Sequence, residues 1–328
     1  MSKPAPSPGP REMTSTVGVS SSPCRWAALV LGMVAFSTAS ILTRLAAAPP
    51  LVIGAWRMIL ATALLTPFAW PRLRREWQAL EGREIVYLLL SGAALAVHFA
   101  TWISSLALTT VSSSVILVTT NPIFVGLATR YLLGEQVSRF QTLGIVAAMA
   151  GSIIVSYGDL QISGRALLGD ALALVGALAA STYILLGRAL RRKLSTLAYV
   201  WPCYGLAAML LLALCLATGQ PLGGYSAKSY LFFALLAIGP QILGHSSFNW
   251  ALAHFSPIFI TLAILGEPVG ASILAWIVLG EVPPLTAPIG GLLILAGIYL
   301  ASRDESGAFM GSTSASHAQE DLPPGADS

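Results

Sequence analysis

The run ILGEPVGASILAWIVLGE, from Ile264 to Glu281, places a carboxylate and a proline, Glu267 and Pro268, in the middle of an otherwise apolar stretch. Glu281 closes the run, where a helix would meet water, and raises no difficulty. Glu267 does. A charged side chain at the centre of a membrane span costs about 2.5–3.5 kcal/mol on insertion scales, so it has to face a bundle interior, be protonated or be paired. Burial favours the neutral form of a carboxyl group until water or a cation reaches it. Such a group could take up a proton from one side of a membrane and release it to the other. Pro268 removes a backbone donor and disrupts the helix, freeing carbonyls that can line a cavity.

The whole chain has the composition of a membrane protein. Of its 328 residues 55% are hydrophobic and 10% charged, and the mean hydropathy is +0.76, which excludes an ordinary soluble domain. About 20 apolar residues cross the roughly 30 Å of hydrocarbon in a bilayer. Ten such runs follow one another, at 26–45, 51–70, 85–108, 111–133, 140–157, 167–187, 196–217, 229–252, 256–279 and 284–302. The expected fold class is therefore an all-α integral membrane protein of ten transmembrane helices. The loops between runs are too short to hold a soluble domain. Residues 1–22, rich in Ser and Pro, and the polar residues 303–328 are expected to be disordered tails.

Two stretches outside the opening run show that the chain is written twice. A shift of 146 positions brings Asn121-Pro122 onto Glu267-Pro268 and Gly134-Glu135 onto Gly280-Glu281. It also brings Gly144, Gly151 and Ser156 onto Gly290, Gly297 and Ser302. A shift of 144 superimposes Gly32, Ser37, Thr38 and Arg44 on Gly176, Ser181, Thr182 and Arg188, and a shift of 147 superimposes Gly92 and His98 on Gly239 and His245. Such small changes of offset are what loop insertions produce. The expected domains are two five-helix units, 23–157 and 166–302. The first run, with Arg25 before it and Ala46-Ala47-Ala48 after it, also has the outline of a signal peptide. The repeat needs that run as the partner of the sixth, which argues against cleavage.

Five is odd, so two such units in tandem enter the membrane from opposite sides. Placing the amino terminus in the cytoplasm puts 14 of the 18 basic residues on the inner side, among them Arg72, Arg74, Arg75, Arg130, Arg188 and Lys193. This obeys the positive-inside rule and accounts for the net charge of +4 without a nucleic-acid partner. Both tails are then cytoplasmic, and the expected location is the inner or plasma membrane. Inverted repeats related by a pseudo-two-fold axis in the membrane plane belong to secondary transporters, with the solute site near the midplane between the halves.

Within that frame, Asn121 and Glu267 should stand at similar depth and face one cavity, with helix breaks at Pro122, Pro240 and Pro268. Arg57 is the one basic residue well inside a span. It could pair with Glu267 or a solute carboxylate, or snorkel to the outer interface. His98 sits mid-span in the third run, and Gln241 and His245 sit in the eighth beside Gly239-Pro240. A histidine there titrates near physiological pH or is an ordinary hydrogen-bonded core residue. Tyr183, Trp201 and Tyr204, with Trp102, Phe248 and Trp250, could line an aromatic pocket or anchor the protein at lipid interfaces. The Ser37-Thr38 and Ser181-Thr182 pairs and the glycine-rich faces of the fifth and tenth runs suit close helix packing. Cys24, Cys203 and Cys215 match no metal-ligand or disulfide spacing, and no metal or cofactor is expected.

The stretches NPIFVGLATRYLLGE followed by QTLGIVAAMAGSIIVS, and GEPVGASILAWIVLGE followed by PIGGLLILAGIYLAS, resemble the drug/metabolite transporter superfamily in its EamA-type, ten-helix form. ALAASTYILLGRALRRK resembles the start of that family's second repeat, and the likeness runs from Trp26 to Ser302. It implies two inverted five-helix repeats around a central cavity, moving small metabolites, often outwards, with no ATPase. Glu267 occupies the family's frequent Glu-Pro position. Asn121 replaces the more usual small or polar residue before the first-repeat proline.

The expected function is secondary active transport of a small-molecule solute, outwards, by alternating access and coupled to protons; the chain is not expected to be an enzyme. The bilayer is the other expected partner, and a homodimer is left open. A non-transporting sensor or scaffold is the alternative. An intramembrane hydrolase is a weaker one: Gly244-His245-Ser246-Ser247 fits a Gly-x-Ser-x pattern, but only His254 in a loop and His317 in the tail follow it.

Overall fold

A segment in hydrocarbon has no water to satisfy its backbone, so it must make its own hydrogen bonds, and helices result. In the computed structural model, which describes residues 22–109, 111–156, 164–280, 285–286 and 288–303, no strand occurs among the described residues. The tails at 1–21 and 304–328, Glu281 and the Cys24 side chain lie outside the described set.

The helices are α1 (Ser22–Ser37), α2 (Ala39–Leu45), α3 (Pro50–Glu76), α4 (Gly82–Ser105), α5 (Val111–Val118), α6 (Asn121–Tyr131) and α7 (Arg139–Ser156). There follow α8 (Gly164–Arg191), α9 (Thr196–Ala217), α10 (Ala227–Leu236), α11 (Ser246–Ala251), α12 (Pro257–Ile264) and α13 (Glu267–Leu279), and finally α14 (Pro288–Arg303). A π-helical segment, Ala237–His245, joins α10 to α11. Serines set several starts: the Oγ atoms of Ser195, Ser226 and Ser256 accept the backbone N–H of Ala198, Ser229 and Phe259 at the heads of α9, α10 and α12.

Among the described residues, seven helical segments are long and apolar enough to cross a membrane. The runs expected at 140–157 and 284–302 form the shorter apolar helices Arg139–Ile154 and Pro288–Arg303, and the run at 111–133 is divided between α5 and α6.

That division and its counterpart in the ninth run place the breaks differently from the expectation. The helices stop at Val118 and Ile264, 146 positions apart, and the interruptions are Thr119-Thr120 and Leu265-Gly266, ahead of each proline. Pro122 and Pro268 are the second residues of α6 and α13. In the first turn of a helix the missing N–H costs nothing, because that donor has no intrahelical acceptor. The prolines start new helices rather than interrupting old ones. Thr119 and Thr120 donate their hydroxyls to the carbonyls of Val115 and Leu117, each at 2.7 Å, and so satisfy acceptors at the end of α5.

The principal packing joins the earlier part of the chain to the later part. α8 lies along α4, α9 lies against α3 and α4, α6 crosses α8, and α1 packs on the π-helical segment, α11 and α13. α7 and α14 meet through glycine. A Cβ at Gly144 would stand 2.7 Å from the Gly297 carbonyl oxygen, and one at Gly151 2.5 Å from that of Gly290. The numbering rises along one helix as it falls along the other, so the two run antiparallel. The 146-residue shift turns one contact into the other. Gly134 and Gly280, equivalent under the same shift, carry φ of +68° and +69° after α6 and α13. A left-handed conformation of this kind is open to glycine at little cost, which explains the repeated Gly-Glu.

The ends expected to face the cytoplasm are tied by charge. Arg188 Nη1 donates to Glu135 Oε2 at 2.7 Å, with the side chains 21% and 42% exposed. Lys193 donates to Glu84, and that bond holds the ammonium above the ordinary lysine range. A raised lysine value means that the contact is present at neutral pH and is lost only as pH rises through that value. Arg191 donates to the carbonyls of Asn249 and Leu194. Because partly exposed ion pairs contribute about 0–1 kcal/mol, Glu135→Gln is expected to lower the melting temperature by no more than about 3 °C. The difference from wild type should shrink in high salt; a large, salt-independent loss would show that Glu135 does something other than pair with Arg188.

Candidate functional site

The two breaks face each other across a cavity of about 40 Å³ whose lining includes Phe36, His98, Trp102, Thr119, Asn121, Tyr183, His245, Phe248, Asn249 and Glu267. A buried water needs about 10–15 Å³, so the space suits a few waters and must widen to hold a metabolite. Residues from both parts of the chain contribute to it. Glu267 is the first residue of α13 and Asn121 the first of α6, and both are buried, at 3% and 4% exposure. A carboxylate at a helix N-terminus is favoured by the unsatisfied N–H groups there.

Close packing sets these residues in place. The Ser181 hydroxyl on α8 donates to the Asn121 carbonyl at 3.3 Å, while Ser37, its equivalent on α1, lies directly against Gly270 in α13. Met33 on α1 fills the space beside Gly266 at the second break. Of the Ser-Thr pairs, the serines thus belong to the packing of α1 and α8 on the broken helices, whereas the Thr38 and Thr182 hydroxyls donate to the carbonyls of Ala35 and Leu178 in their own stretches of chain.

The cavity wall is rich in polar atoms without protein partners. Asn121 Oδ1, Glu267 Oε1, Trp102 Nε1, His245 Nε2 and Asn249 Oδ1 are all buried and make no hydrogen bond within the protein. Buried polar groups are ordinarily satisfied, and five orphans around one space are groups that a polar guest could satisfy. His98 does have a partner, the Gly176 carbonyl, 3.0 Å from its Nδ1. Its ring stacks on Trp102, with centroids 5.8 Å apart. Asn249, not singled out from the sequence, is central: its Nδ2 donates to Tyr183 Oη at 2.7 Å and to the His245 carbonyl at 2.6 Å. The signal was present as an amide inside the apolar eighth run.

A second polar group stands one aromatic layer away. Arg57 on α3 is 1% exposed and Gln241 on the π-helical segment 0%, and Arg57 Nε donates to Gln241 Oε1 at 2.8 Å. The guanidinium lies over the Phe99 ring, 4.4 Å from its centroid, and Phe99 in turn contacts His245 of the cavity wall, with centroids 5.5 Å apart. Arg57 therefore does not snorkel. It lies within electrostatic reach of Glu267 without forming an ion pair with it, and both its terminal nitrogens lack partners. Tyr204 belongs to this layer, its hydroxyl 3.5 Å from the Gln241 carbonyl and 3.2 Å from Ser246 Oγ.

The remaining expected site residues go elsewhere. Trp201 donates its indole N–H to Thr66 Oγ1 at 2.9 Å and lines a separate apolar groove of about 630 Å³ between α3, α4 and α9. Trp250 packs on His254. Pro240 lies inside the π-helical segment, where wider turns accommodate the missing N–H and aim both Gln241 and His245 inwards. Cys203 and Cys215 are buried free thiols.

Comparison with known proteins agrees with this architecture. The profile of the EamA-like transporter family matches twice, over residues 26–157 and 167–303. An uncharacterized transporter of Archaeoglobus fulgidus is 26% identical over 258 residues, covering 77% of this chain and 88% of its own. One of Clostridium kluyveri is 24% identical over 249 residues, covering 73% and 79%. A Streptantibioticus cattleyicolor protein described as a "probable terminal-alkyne amino-acid exporter" is 26% identical over 190 residues, covering 57% of this chain and 63% of its own. A solved crystal structure shares the fold, with a TM-score of 0.71 at 19% identity, covering 87% of this chain and 99% of that one. With apolar helices throughout and two profile matches spanning most of its length, the chain belongs to the EamA-like transporter family and is a multi-pass membrane transporter of the drug/metabolite transporter superfamily.

Proposed function

We propose that the chain is a secondary transporter that exports a small metabolite by alternating access, with Glu267 carrying the coupling proton. The observation behind this reading is the pairing of two equivalent helix breaks, Asn121 on one and Glu267 on the other, across a cavity lined by five polar atoms without protein partners. Glu267 is the titratable member of that pair. As the cavity opens to either side, water reaches the carboxyl group and exchanges its proton.

The same reading takes the chain as ten spans in two inverted units, 23–157 and 166–302, with the tails 1–22 and 303–328 in the cytoplasm of a cell whose inner or plasma membrane holds the protein. It is supported by the antiparallel α7 and α14 seam, in which Gly144 meets Gly297 and Gly151 meets Gly290, and by the shared position of the two breaks. It is supported also by α4 packing on α8 while α1 packs on the π-helical segment and α11. These are the relations expected when halves exchanged by a two-fold axis interlock.

The test is flux through the purified full chain in liposomes, with a panel of radiolabelled amino acids as first solutes because one relative is described as an amino-acid exporter. At least one solute is expected to accumulate when a pH gradient is imposed, and to equilibrate without accumulating when the gradient is collapsed. Binding of solutes with no movement across the membrane would favour a sensor instead.

A further inference from the structure

Arg57 and Glu267 are the only charged side chains among the buried described residues, and no direct ion pair joins them. The guanidinium of Arg57 uses Nε on Gln241 and lays its face on Phe99, leaving Nη1 and Nη2 without partners. Glu267 Oε1 is likewise without a partner. A buried charge stripped of water is strongly unfavourable unless paired, and arginine stays charged at neutral pH. A guanidinium held at one edge, with its two terminal nitrogens free, presents the fork that a carboxylate engages through two parallel hydrogen bonds.

We propose that Arg57 is the anion-recognition residue of the transport site and that the carried solute is a small monocarboxylate, whose carboxylate docks on Nη1 and Nη2. The assignment rests on the transport reading above and narrows its substrate class. One buried cation suits one negative charge; a phosphate would bring two, with no second buried arginine or lysine among the described residues to meet it. Phe99 and His245 separate the guanidinium from the cavity, so their rings must part for the solute to reach it. Phe36, tilted against His245 with centroids 4.8 Å apart, bounds the apolar space for the rest of the solute.

The same geometry accounts for coupling, with solute and proton crossing in the same direction. Arg57 is balanced either by the solute's carboxylate or by ionised Glu267. When the solute binds, Glu267 holds a proton. When the solute leaves, that proton passes to water on the side to which the cavity is open, and the glutamate carboxylate takes over the balance. One proton leaves with each solute, so export runs down the solute's own gradient and carries a proton out with it.

The test is the melting temperature of the detergent-purified full chain with a panel of probes: alanine, leucine, phenylalanine, lactate, 2-oxoisovalerate and phenylacetate, each beside its matched carboxamide. At least one monocarboxylate is expected to raise the melting temperature while its amide does not. Arg57→Gln should abolish the shift, and Arg57→Lys, which keeps the charge without the fork, should weaken binding by about tenfold or more. The acid-against-amide comparison on the wild-type protein needs no variant and stands if Arg57→Gln fails to fold. Amides stabilising as well as acids, no acid stabilising, or Arg57→Gln responding like wild type would each overturn the assignment. Acids that bind through Arg57 but cross no liposome membrane would remove the transport reading and leave the assignment of Arg57 standing. Flux of amides equal to that of acids would do the reverse.

Discussion

Replacing Glu267 by Gln is expected to abolish the dependence of solute flux on a pH gradient while leaving the protein folded and inserted. Glutamine preserves the size of the side chain at a site that is 3% exposed, so the packing of Met33 and Ser37 of α1 against Gly266 and Gly270 has no reason to change. What disappears is the proton. A gradient of one pH unit corresponds to about 1.36 kcal/mol per proton, enough to sustain about a tenfold solute ratio. In liposomes the wild-type accumulation ratio should approach that value at one proton per solute, and Glu267→Gln should fall to about 1. Counterflow, the exchange of labelled for unlabelled solute without a gradient, should persist in the variant. A variant with unchanged pH response would reduce Glu267 to a structural carboxyl, neutral and packed.

The largest effect on stability is expected from Gly151→Val. The first side-chain carbon would meet the Gly290 carbonyl oxygen at 2.5 Å, Ile294 N at 2.8 Å and Ile294 Cγ1 at 2.9 Å. Two of these are backbone atoms of α14 and cannot rotate away, so the helices must separate. Overpacking of this kind costs about 1–3 kcal/mol, and a membrane seam has no hydrophobic drive to hold it together once its van der Waals contact is lost. The melting temperature should fall by several degrees, with a smaller folded fraction after size-exclusion chromatography. Gly82→Ala is the control, since nothing lies within 4 Å of its added carbon, and it should melt close to wild type. Equal melting of Gly151→Val and wild type would mean that α7 and α14 do not approach as described.

Much of the site was legible residue by residue. Glu267, Asn121, Arg57, His98, Gln241 and His245 were visible because each is polar or charged in a run that is otherwise apolar, and all six are buried. Phe248 and Trp102 joined the cavity, whereas Trp201 left it for a different groove. Aromatic residues on a membrane helix suit a pocket, an interface or lipid alike, so composition does not choose among them. Asn249 was overlooked although it obeys the same rule as the other polar residues. The positions of the breaks were displaced by two residues because proline is read as an interrupter, whereas in the first turn it is a favoured starter.

By itself the sequence determined that the chain is a bundle of membrane helices belonging to a transporter family, and which polar residues lie inside it. Hydrocarbon admits only apolar surface and self-satisfied backbone, so run length, composition and isolated charges are enough to establish these things. Only the tertiary structure decided which of those residues meet. Arg57 bonds to Gln241, 184 positions away, rather than to Glu267, and Tyr183 to Asn249, 66 positions away. Such partners depend on how each helix is rotated about its axis and where it crosses its neighbours. A helix such as α9, apolar on nearly every side, carries no stripe to specify that rotation, and contacts such as Gly92 of α4 against Cys203 and Leu206 and the Ser91–Tyr199 hydrogen bond set it instead.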